Sequence, residues 1–298
     1  MKKWYRDNGL QARMILTMFL LAVLYLIFLS VILAFGQGYT DILLIFMMLM
    51  LFVQFFFSDK LVLWSTGGRI VTEQEEPRLH ETVSRLCAIA DLPKPKIAIV
   101  ESNVPNAFAT GRSKNNAIVA VTTSLKQKLS QPELEAVLAH ELSHVKNRDM
   151  LIITIASFLS TVAALLVRNM MFMGMMGGGN RDRNNSAGAA IIIFVVSLVV
   201  WVISFLLIRA LSRYREFAAD RGSAMITGQP SHLASALMAI SGVMERVPSR
   251  DLREMEGMNA FFIIPAISGD FIMGLLSTHP PVEARIRALE EMERKMEF

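Results

Sequence analysis

The sequence has few of the residues that hold many small proteins together. It contains one cysteine and five histidines in 298 residues, and only 19% of its residues are charged. A single cysteine excludes an intramolecular disulfide framework and a zinc site built on cysteines. The low charge accompanies 53% hydrophobic residues and a mean hydropathy of +0.43. This composition excludes a disordered chain and predicts a membrane protein with a soluble part.

The charged residues do not indicate a nucleic-acid-binding surface. The formal net charge is +4. The basic residues cluster beside apolar runs, as they do at the ends of membrane helices, rather than in a DNA-binding stripe. We therefore expect a lipid bilayer as a partner and no nucleic acid.

Four apolar runs predict about four transmembrane helices in two hairpins. Residues 14–35 and 42–57 give the first hairpin, and residues 150–167 and 187–208 give the second. A helix of about 20 residues crosses a hydrocarbon core of ~30 Å. Basic residues precede the first run and are absent from the turn at 36–41, which predicts a cytoplasmic N-terminus.

Arginines leave two interpretations of the second hairpin open. The connection 168–186 contains Arg168, Arg181 and Arg183, which would face outward against the positive-inside bias. Either the second hairpin spans the bilayer fully, or it only dips into the bilayer or packs on the soluble part.

The remaining residues predict one soluble α+β unit interrupted by the second hairpin. Alternating or continuous apolar residues predict strands at 96–100, 106–110 and 117–122, with the last two joined as a hairpin. The predicted domains are an N-terminal transmembrane hairpin 1–57, a first soluble part 58–149, the second hairpin 150–208 and a second soluble part 209–298.

One predicted helix carries the clearest chemical motif. Residues 130–133 form a capping box with proline near the first turn, which predicts a helix over 131–147. Positions i and i+4 share a helix face, so His140 and His144 can bind one ion while Glu141 addresses a water on it. The motif predicts a zinc peptidase with Glu141 as general base. The alternative is a solvated helix face with two incidental histidines.

A catalytic zinc site has three protein ligands and one open position, so a third ligand is needed. A histidine further along the motif is excluded, because Asn147 and Met150 stand where that pattern needs glycine and histidine. Glu216 is the other candidate. Asp220 follows it by four positions on the same helix face, where it can hold the N–H of a ligand imidazole. Because Arg215 precedes Glu216, spacing alone leaves a surface ion pair equally open.

Several segments together resemble the HtpX family of bacterial membrane-bound zinc endopeptidases, which are related to CAAX prenyl proteases. They are His-Glu-Leu-Ser-His at 140–144, Arg-Tyr-Arg-Glu-Phe-Ala-Ala-Asp at 213–220, Ser-Thr-His-Pro-Pro at 277–281 and Asn-Ala-Phe-Ala-Thr-Gly at 106–111. The resemblance covers nearly the whole chain. It implies a zincin-type protease domain formed by 58–149 and 209–298, with one Zn²⁺ per chain. It also implies proteolytic quality control of membrane proteins from the cytoplasmic side of the bacterial inner membrane.

The resemblance further implies that Glu216 is the third zinc ligand and that His279 is catalytic, stabilising the tetrahedral intermediate. The alternative for His279 is a turn before the last helix. A sheet edge is predicted to bind substrate as an added strand. Its residues are Asn106, Ala107, Phe108 and Ala109. Phe108 could equally be a core side chain.

Four other classes of protein fit parts of the sequence. A CAAX prenyl protease shares the zinc motif but needs more spanning segments and a longer chain. An intramembrane site-2-type protease has its motif inside a spanning helix, whereas charged residues flank this motif. An inactive scaffold should have lost Glu141 or a ligand, but none is missing. A transporter component needs polar groups at mid-membrane, but the four apolar runs contain almost none.

Residue counts predict that the site lies close to the bilayer. If the helix 131–147 continues into the run beginning at Met150, His144 lies about 9 Å from the hydrocarbon edge. Glu216 follows Ile208 by eight residues, which corresponds to about 12 Å. We therefore expect membrane-protein segments and unfolded polypeptides near the membrane as substrates.

Overall fold

The structure is a computed structural model that describes residues 7–35, 40–175, 184–244 and 279–296. Three segments of the sequence analysis lie partly outside these residues. They are the connections 36–41 and 168–186 and the motif at 277–281, whose positions 277 and 278 are not described. The elements, in chain order, are α1 (Asn8–Phe35), α2 (Thr40–Ser65), β1 (Arg69–Ile70), α3 (Pro77–Ala90), β2 (Lys96–Val100), β3 (Ala107–Thr110), a 3-10 turn (Lys114–Asn116), β4 (Ile118–Thr122), α4 (Thr123–Lys128), α5 (Gln131–Asn147), α6 (Asp149–Met175), α7 (Asn184–Thr227), α8 (Pro230–Met244) and α9 (Val282–Met296).

Three helices among the described residues are long and apolar enough to cross a membrane. They comprise Asn8–Phe35, Asp149–Met171 and Gly188–Thr227. The second predicted run lies in α2, where the apolar part Ile45–Phe57 is shorter than a spanning helix. The predicted combination of membrane helices with an α+β unit is confirmed, with three of the four predicted helices meeting the length of a span.

The helices α1, α6 and α7 share one apolar core. Phe28 of α1 is buried in the same cluster as Ala163 of α6 and Val200 of α7. The Tyr25 hydroxyl donates a hydrogen bond to the carbonyl of Ala156 on α6. The first hairpin is therefore joined to the second.

The last apolar run and the helix after it form the single helix α7 of 44 residues. At ~1.5 Å per residue it is ~66 Å long, about twice the ~30 Å thickness of a hydrocarbon core. Its C-terminal part therefore stands outside the bilayer, and Glu216 keeps its separation of about 12 Å from Ile208 along the axis. The predicted boundary at 208/209 falls within α7, and that at 57/58 falls within α2.

A four-stranded sheet with the order β1-β2-β4-β3 forms the β part. β2 and β4 are parallel, whereas β1 and β3 each pair antiparallel with a neighbour. The predicted hairpin of β3 and β4 is confirmed, and β1 is an additional strand. One face of the sheet packs on helices including α3 and α5, and the other packs on Val62 and Leu63 of α2.

The strand β3 forms an edge of this sheet. The carbonyl of Asn106 accepts a hydrogen bond from the N–H of Thr122 at 2.9 Å. Every second residue of an antiparallel pair bonds its partner strand, so the even-numbered residues of β3 bond β4. The N–H and C=O groups of Ala107 and Ala109 therefore point away from β4.

The motif helix α5 begins at a capping box and ends at a left-handed residue. The N–H of Ser130 donates to Glu133 Oε2 at 2.9 Å, as predicted. Arg148 has φ 57° and ψ 38°, and its N–H bonds to the carbonyls of His144 and Val145. The expectation that this helix continues into the third apolar run is therefore wrong. The predicted distance of about 9 Å between His144 and the hydrocarbon edge assumed one straight helix, so it does not apply.

Candidate metal centre and active site

The two histidines of the motif lie one turn apart on α5. The Nε2 atoms of His140 and His144 are 3.1 Å apart. The side chain of His140 is 1% exposed and that of His144 is 14% exposed. Both rings thus direct Nε2 to one point and keep Nδ1 for a second partner, so the solvated-face alternative is excluded.

Glu216 reaches the same point from α7. Its Oε1 lies 3.5 Å from His144 Nε2, and its Oε2 lies 3.6 Å from His140 Nε2. In the part of the chain that the structure describes, these three residues are the group of donors that could hold a metal ion. The Glu216 side chain is 7% exposed, which excludes the surface ion-pair interpretation.

A buried carboxylate lies behind each histidine. Asp220 Oδ1 is 3.0 Å from His140 Nδ1, the contact that the i+4 spacing from Glu216 predicts. Asp149 Oδ2 is 2.6 Å from His144 Nδ1, which the sequence did not predict. Burial lowers the pKa of His140, but the contacts with Asp220 and Glu216 outweigh it and raise that pKa to about 9. The surroundings therefore favour positive charge at this ring.

Arg285 of α9 connects two of these carboxylates. Its Nε and Nη2 lie 2.8 Å and 2.6 Å from the two carboxylate oxygens of Asp220. Its Nη1 lies 3.3 Å from Glu216 Oε2. Although Arg285 is buried, Asp220 raises its pKa above the ordinary value, so the guanidinium is a fixed cation behind the site.

Glu141 follows His140 on α5 and contacts the edge strand β3. It is buried, and burial raises its pKa. The main-chain N–H of Ala109 in β3 donates to its carboxylate. The candidate general base is therefore beside the edge strand.

The side chains of the predicted substrate edge belong to the core. Ala107 and Ala109 are buried between the sheet and the helices, and Phe108 is buried on the other face against α2. The N–H of Asn106 donates to Thr122 Oγ1 at 2.8 Å. What this edge offers to a ligand is the main chain of Ala107 and the carbonyl of Ala109, since the Ala109 N–H donates to Glu141.

His279 lies at the same centre. It is 5% exposed, and its Nδ1 is 3.2 Å from Glu216 Oε2. The motif at 277–281 therefore brings its histidine against the candidate ligand Glu216 rather than into an exposed turn.

Most of the chain matches a known peptidase family. Residues 73–293 match peptidase family M48, and this segment includes every candidate residue described above. The chain belongs to peptidase family M48. It is therefore a metallopeptidase.

This M48 chain is similar over nearly its whole length to known HtpX proteases. It is 63% identical over 295 residues to Protease HtpX homolog 2 of Methanosarcina mazei, covering 99% of each chain. It is 57% identical over 291 residues to Protease HtpX homolog of Moorella thermoacetica, covering 98% of this chain and 97% of the relative. The resemblance to the HtpX family of membrane metalloproteases is confirmed.

A solved structure shares the fold of this M48 chain. The crystal structure of S. mikatae Ste24p matches with a TM-score of 0.53 and 17% sequence identity. The match covers 95% of this chain and 66% of the Ste24p chain.

Membership of M48 implies a metal, usually zinc, and the donors present fit that ion. Zinc bonds to imidazole nitrogen and carboxylate oxygen measure about 2.0–2.2 Å, so tetrahedral donors lie about 3.3–3.6 Å apart. The two Nε2 atoms are 3.1 Å apart, and each lies 3.5 Å or 3.6 Å from a different oxygen of Glu216. One ligand atom from each of the three residues lies within 4.8 Å of the other two. Carboxylates contact both Nδ1 atoms, which leaves both Nε2 atoms for an ion. Three protein donors leave a fourth position open, as catalytic sites require.

The sequence patterns do not predict three buried charged residues of this M48 site, which are Asp149, Arg215 and Arg285. Arg285 contacts Asp220 as described, and Arg215 Nε lies 3.0 Å from Asp149 Oδ1. Sequence patterns assign charged residues on helices to the solvent face. One feature of the sequence could have indicated Asp149: it follows the end of the motif helix by only two positions.

Proposed function

We propose that this protein is a zinc-dependent membrane endopeptidase that cleaves cytoplasmic segments of misfolded or damaged membrane proteins. The observation that carries the proposal is the convergence of His140, His144 and Glu216 on one point. These residues would hold one Zn²⁺ per chain. Glu141 and an edge strand lie directly beside them.

The proposed reaction is hydrolysis of a peptide bond by water. A zinc ion at this site would polarise the peptide carbonyl and lower the pKa of a coordinated water. Glu141 accepts a proton from the water, which its burial-raised pKa favours. The water oxygen attacks the carbonyl carbon, and Glu141 returns the proton to the amide nitrogen as the C–N bond breaks. Asp220 holds the Nδ1–H of His140, so that Nε2 stays directed at the ion.

We propose that the substrate binds as a strand added to β3 along Asn106, Ala107, Phe108 and Ala109. The carbonyls of Ala107 and Ala109 point away from β4 and can accept hydrogen bonds from a peptide of any sequence. Only an extended stretch of chain can pair in this way. This requirement favours unfolded segments over folded domains.

We propose that His279 stabilises the negative charge that develops on the carbonyl oxygen during hydrolysis. Its burial and its 3.2 Å contact with Glu216 keep the imidazole at the metal centre. A donor directed at such an oxyanion contributes ~3–4 kcal/mol to lowering the barrier.

Charge and one ion pair support an active site on the cytoplasmic side. Four basic residues lie within the first 13 positions, which predicts a cytoplasmic N-terminus. Asp7, next to the start of α1, pairs with Arg221 of α7 at 2.9 Å. Since Arg221 follows Asp220 directly, the start of α1 and the metal centre lie on the same side of the bilayer. We therefore propose that the site faces the cytoplasm at the inner (cytoplasmic) membrane.

The test uses the full-length protein in liposomes with an unfolded, membrane-anchored substrate. Cleavage should stop on chelation and return when Zn²⁺ is added. Glu141→Gln should abolish hydrolysis while bound zinc stays near one per chain, since Glu141 acts on water rather than on the metal. Unchanged turnover in this variant would refute the mechanism, and faster cleavage of a folded soluble protein would refute the substrate class.

A further inference from the structure

The break between α5 and α6 brings Asp149 onto the metal centre. Residues five positions apart on a continuous helix differ by about 140° in direction, so a straight helix would turn Asp149 away from His144. Arg148 instead has φ 57°, in a left-handed region that non-glycine residues rarely adopt. Beyond it, Asp149 Oδ2 lies 2.6 Å from His144 Nδ1.

A second contact holds the Asp149 carboxylate in place. Asp149 is 1% exposed, and its Oδ1 lies 3.0 Å from Nε of Arg215, which is 6% exposed. A buried carboxylate is unfavourable unless it is paired and hydrogen-bonded, so these contacts explain why it stays charged. Arg215 also directly precedes Glu216. One line of contacts thus runs from Arg215 on α7 through Asp149 on α6 to His144 on α5.

We infer that Asp149 is a positioning residue of the metal centre and that Arg215 fixes it there. The inference rests on the proposed function, in which His144 Nε2 binds zinc. By accepting a hydrogen bond from Nδ1–H, Asp149 fixes the tautomer and orientation of the His144 ring and raises its basicity. Asp220 Oδ1 likewise lies 3.0 Å from His140 Nδ1.

The two carboxylates come from the two helices of the second hairpin. Asp149 opens α6, and Asp220 lies on α7. Each metal-binding histidine of α5 is therefore oriented by a different helix of the membrane hairpin.

A purely structural role for Asp149 makes a different prediction. An acidic residue in the first turn of a helix also stabilises that helix through its dipole. Loss of such a role lowers the stability of the metal-free protein but leaves the zinc affinity of each folded molecule unchanged. Metal affinity and metal-free stability must therefore be measured separately.

The experiment measures zinc affinity of the full-length protein in detergent by competition with a chromophoric chelator, together with the thermal midpoint of the metal-free form. Asp149→Ala should weaken zinc binding ~10–100-fold, the usual effect of removing the partner of a ligand histidine. Asp149→Asn keeps an acceptor oxygen and should lose less. Glu283→Gln is the control, because Glu283 is likewise an acidic residue in a first helical turn, that of α9, and should bind zinc as wild type does.

The outcomes separate this inference from the proposed function. His144→Ala should reduce binding to background, and wild-type affinity in that variant would refute the metal site itself. Wild-type affinity in Asp149→Ala, with His144→Ala impaired, would refute the positioning role alone. If Asp149→Ala fails to fold, Asp149→Asn decides: reduced affinity supports the role, and unchanged affinity overturns it.

Discussion

Gly222 of α7 lies directly against Ser143 of α5, with no room between them for a side chain. A Cβ added at Gly222 would lie 2.3 Å from Ser143 Oγ and 2.6 Å from Ser143 Cβ. Ser143 directly precedes His144, and Gly222 follows Asp220 by two positions. This contact sets the spacing of α5 and α7 one residue from the candidate ligand His144 and two residues from Asp220.

We predict that Gly222→Ala destabilises the protein, although alanine is the better helix former. Overpacking costs ~1–3 kcal/mol, which exceeds the ~0.5–1 kcal/mol that glycine-to-alanine adds in a helix. Ser143→Gly removes both contacting atoms and should restore part of the loss in the double variant. Thermal unfolding in detergent measures the effect.

The control for this prediction is Gly242→Ala in α8. Among the residues that the structure describes, a Cβ at Gly242 meets nothing within 4 Å, so this change should leave the thermal midpoint equal or higher. If Gly222→Ala is as well tolerated as Gly242→Ala, the close approach of α5 and α7 does not restrict this position.

A second prediction separates a metal ligand from the residue behind a ligand. Glu216→Ala removes a donor and should abolish zinc binding almost completely. Asp220→Ala removes no metal donor but the carboxylate that contacts His140 Nδ1 and Arg285, and should weaken binding ~10–100-fold. Metal titration of both variants measures this order, and the reverse order would exchange the roles of the two residues.

A third prediction concerns the buried Arg285. Arg285→Met leaves the carboxylates of Asp220 and Glu216 buried without their cation, and removal of one partner of a buried ion pair costs ~3–5 kcal/mol. Adding Asp220→Asn should recover part of this loss, because it removes one of the uncompensated charges. Thermal unfolding of the metal-free protein measures both variants.

Lys295 provides the comparison on the same helix. It pairs with Glu291 at 2.6 Å, but the two side chains are 69% and 61% exposed. Exposed pairs contribute little to stability, so Lys295→Met should unfold close to the wild-type midpoint. Equal effects of Arg285→Met and Lys295→Met would show that burial does not strengthen the Arg285 pairs.

Local features of the site are predictable from the sequence because they depend on helix geometry alone. The spacing of four positions predicts that His140 and His144 share a face, and likewise Glu216 and Asp220. The capping box predicts where α5 begins. These features need no knowledge of how the helices pack.

Other features depend on non-local packing or on a backbone break, and periodicity does not encode them. Asp149 reaches His144 only because Arg148 leaves the helical conformation. Arg285 pairs with a residue 65 positions earlier. The contact of α5 with α7 depends on Gly222, which in the sequence alone indicates only a weak helix position.

The last prediction concerns where along a membrane protein the enzyme cuts. Glu216 lies eight residues beyond Ile208 on the continuous helix α7, which places the metal centre about 12 Å from the apolar run. An extended chain advances ~3.3 Å per residue. A substrate therefore needs about four residues to reach the centre, and more to pair with β3. Once the chain is long enough, its anchor keeps it at a high effective concentration, which falls as the linker lengthens.

We therefore expect the cleavage rate to be near zero for very short spacers, to rise to a maximum, and to fall gradually as the spacer lengthens. The measurement moves one cleavable sequence stepwise away from a transmembrane anchor and records initial rates in liposomes. Glu141→Gln, assayed with each substrate, gives the background. The same sequence without its anchor should be cleaved more slowly than the best anchored substrate. Rates that depend neither on spacer length nor on the anchor would refute the prediction, because a site tethered beneath the bilayer must distinguish these substrates.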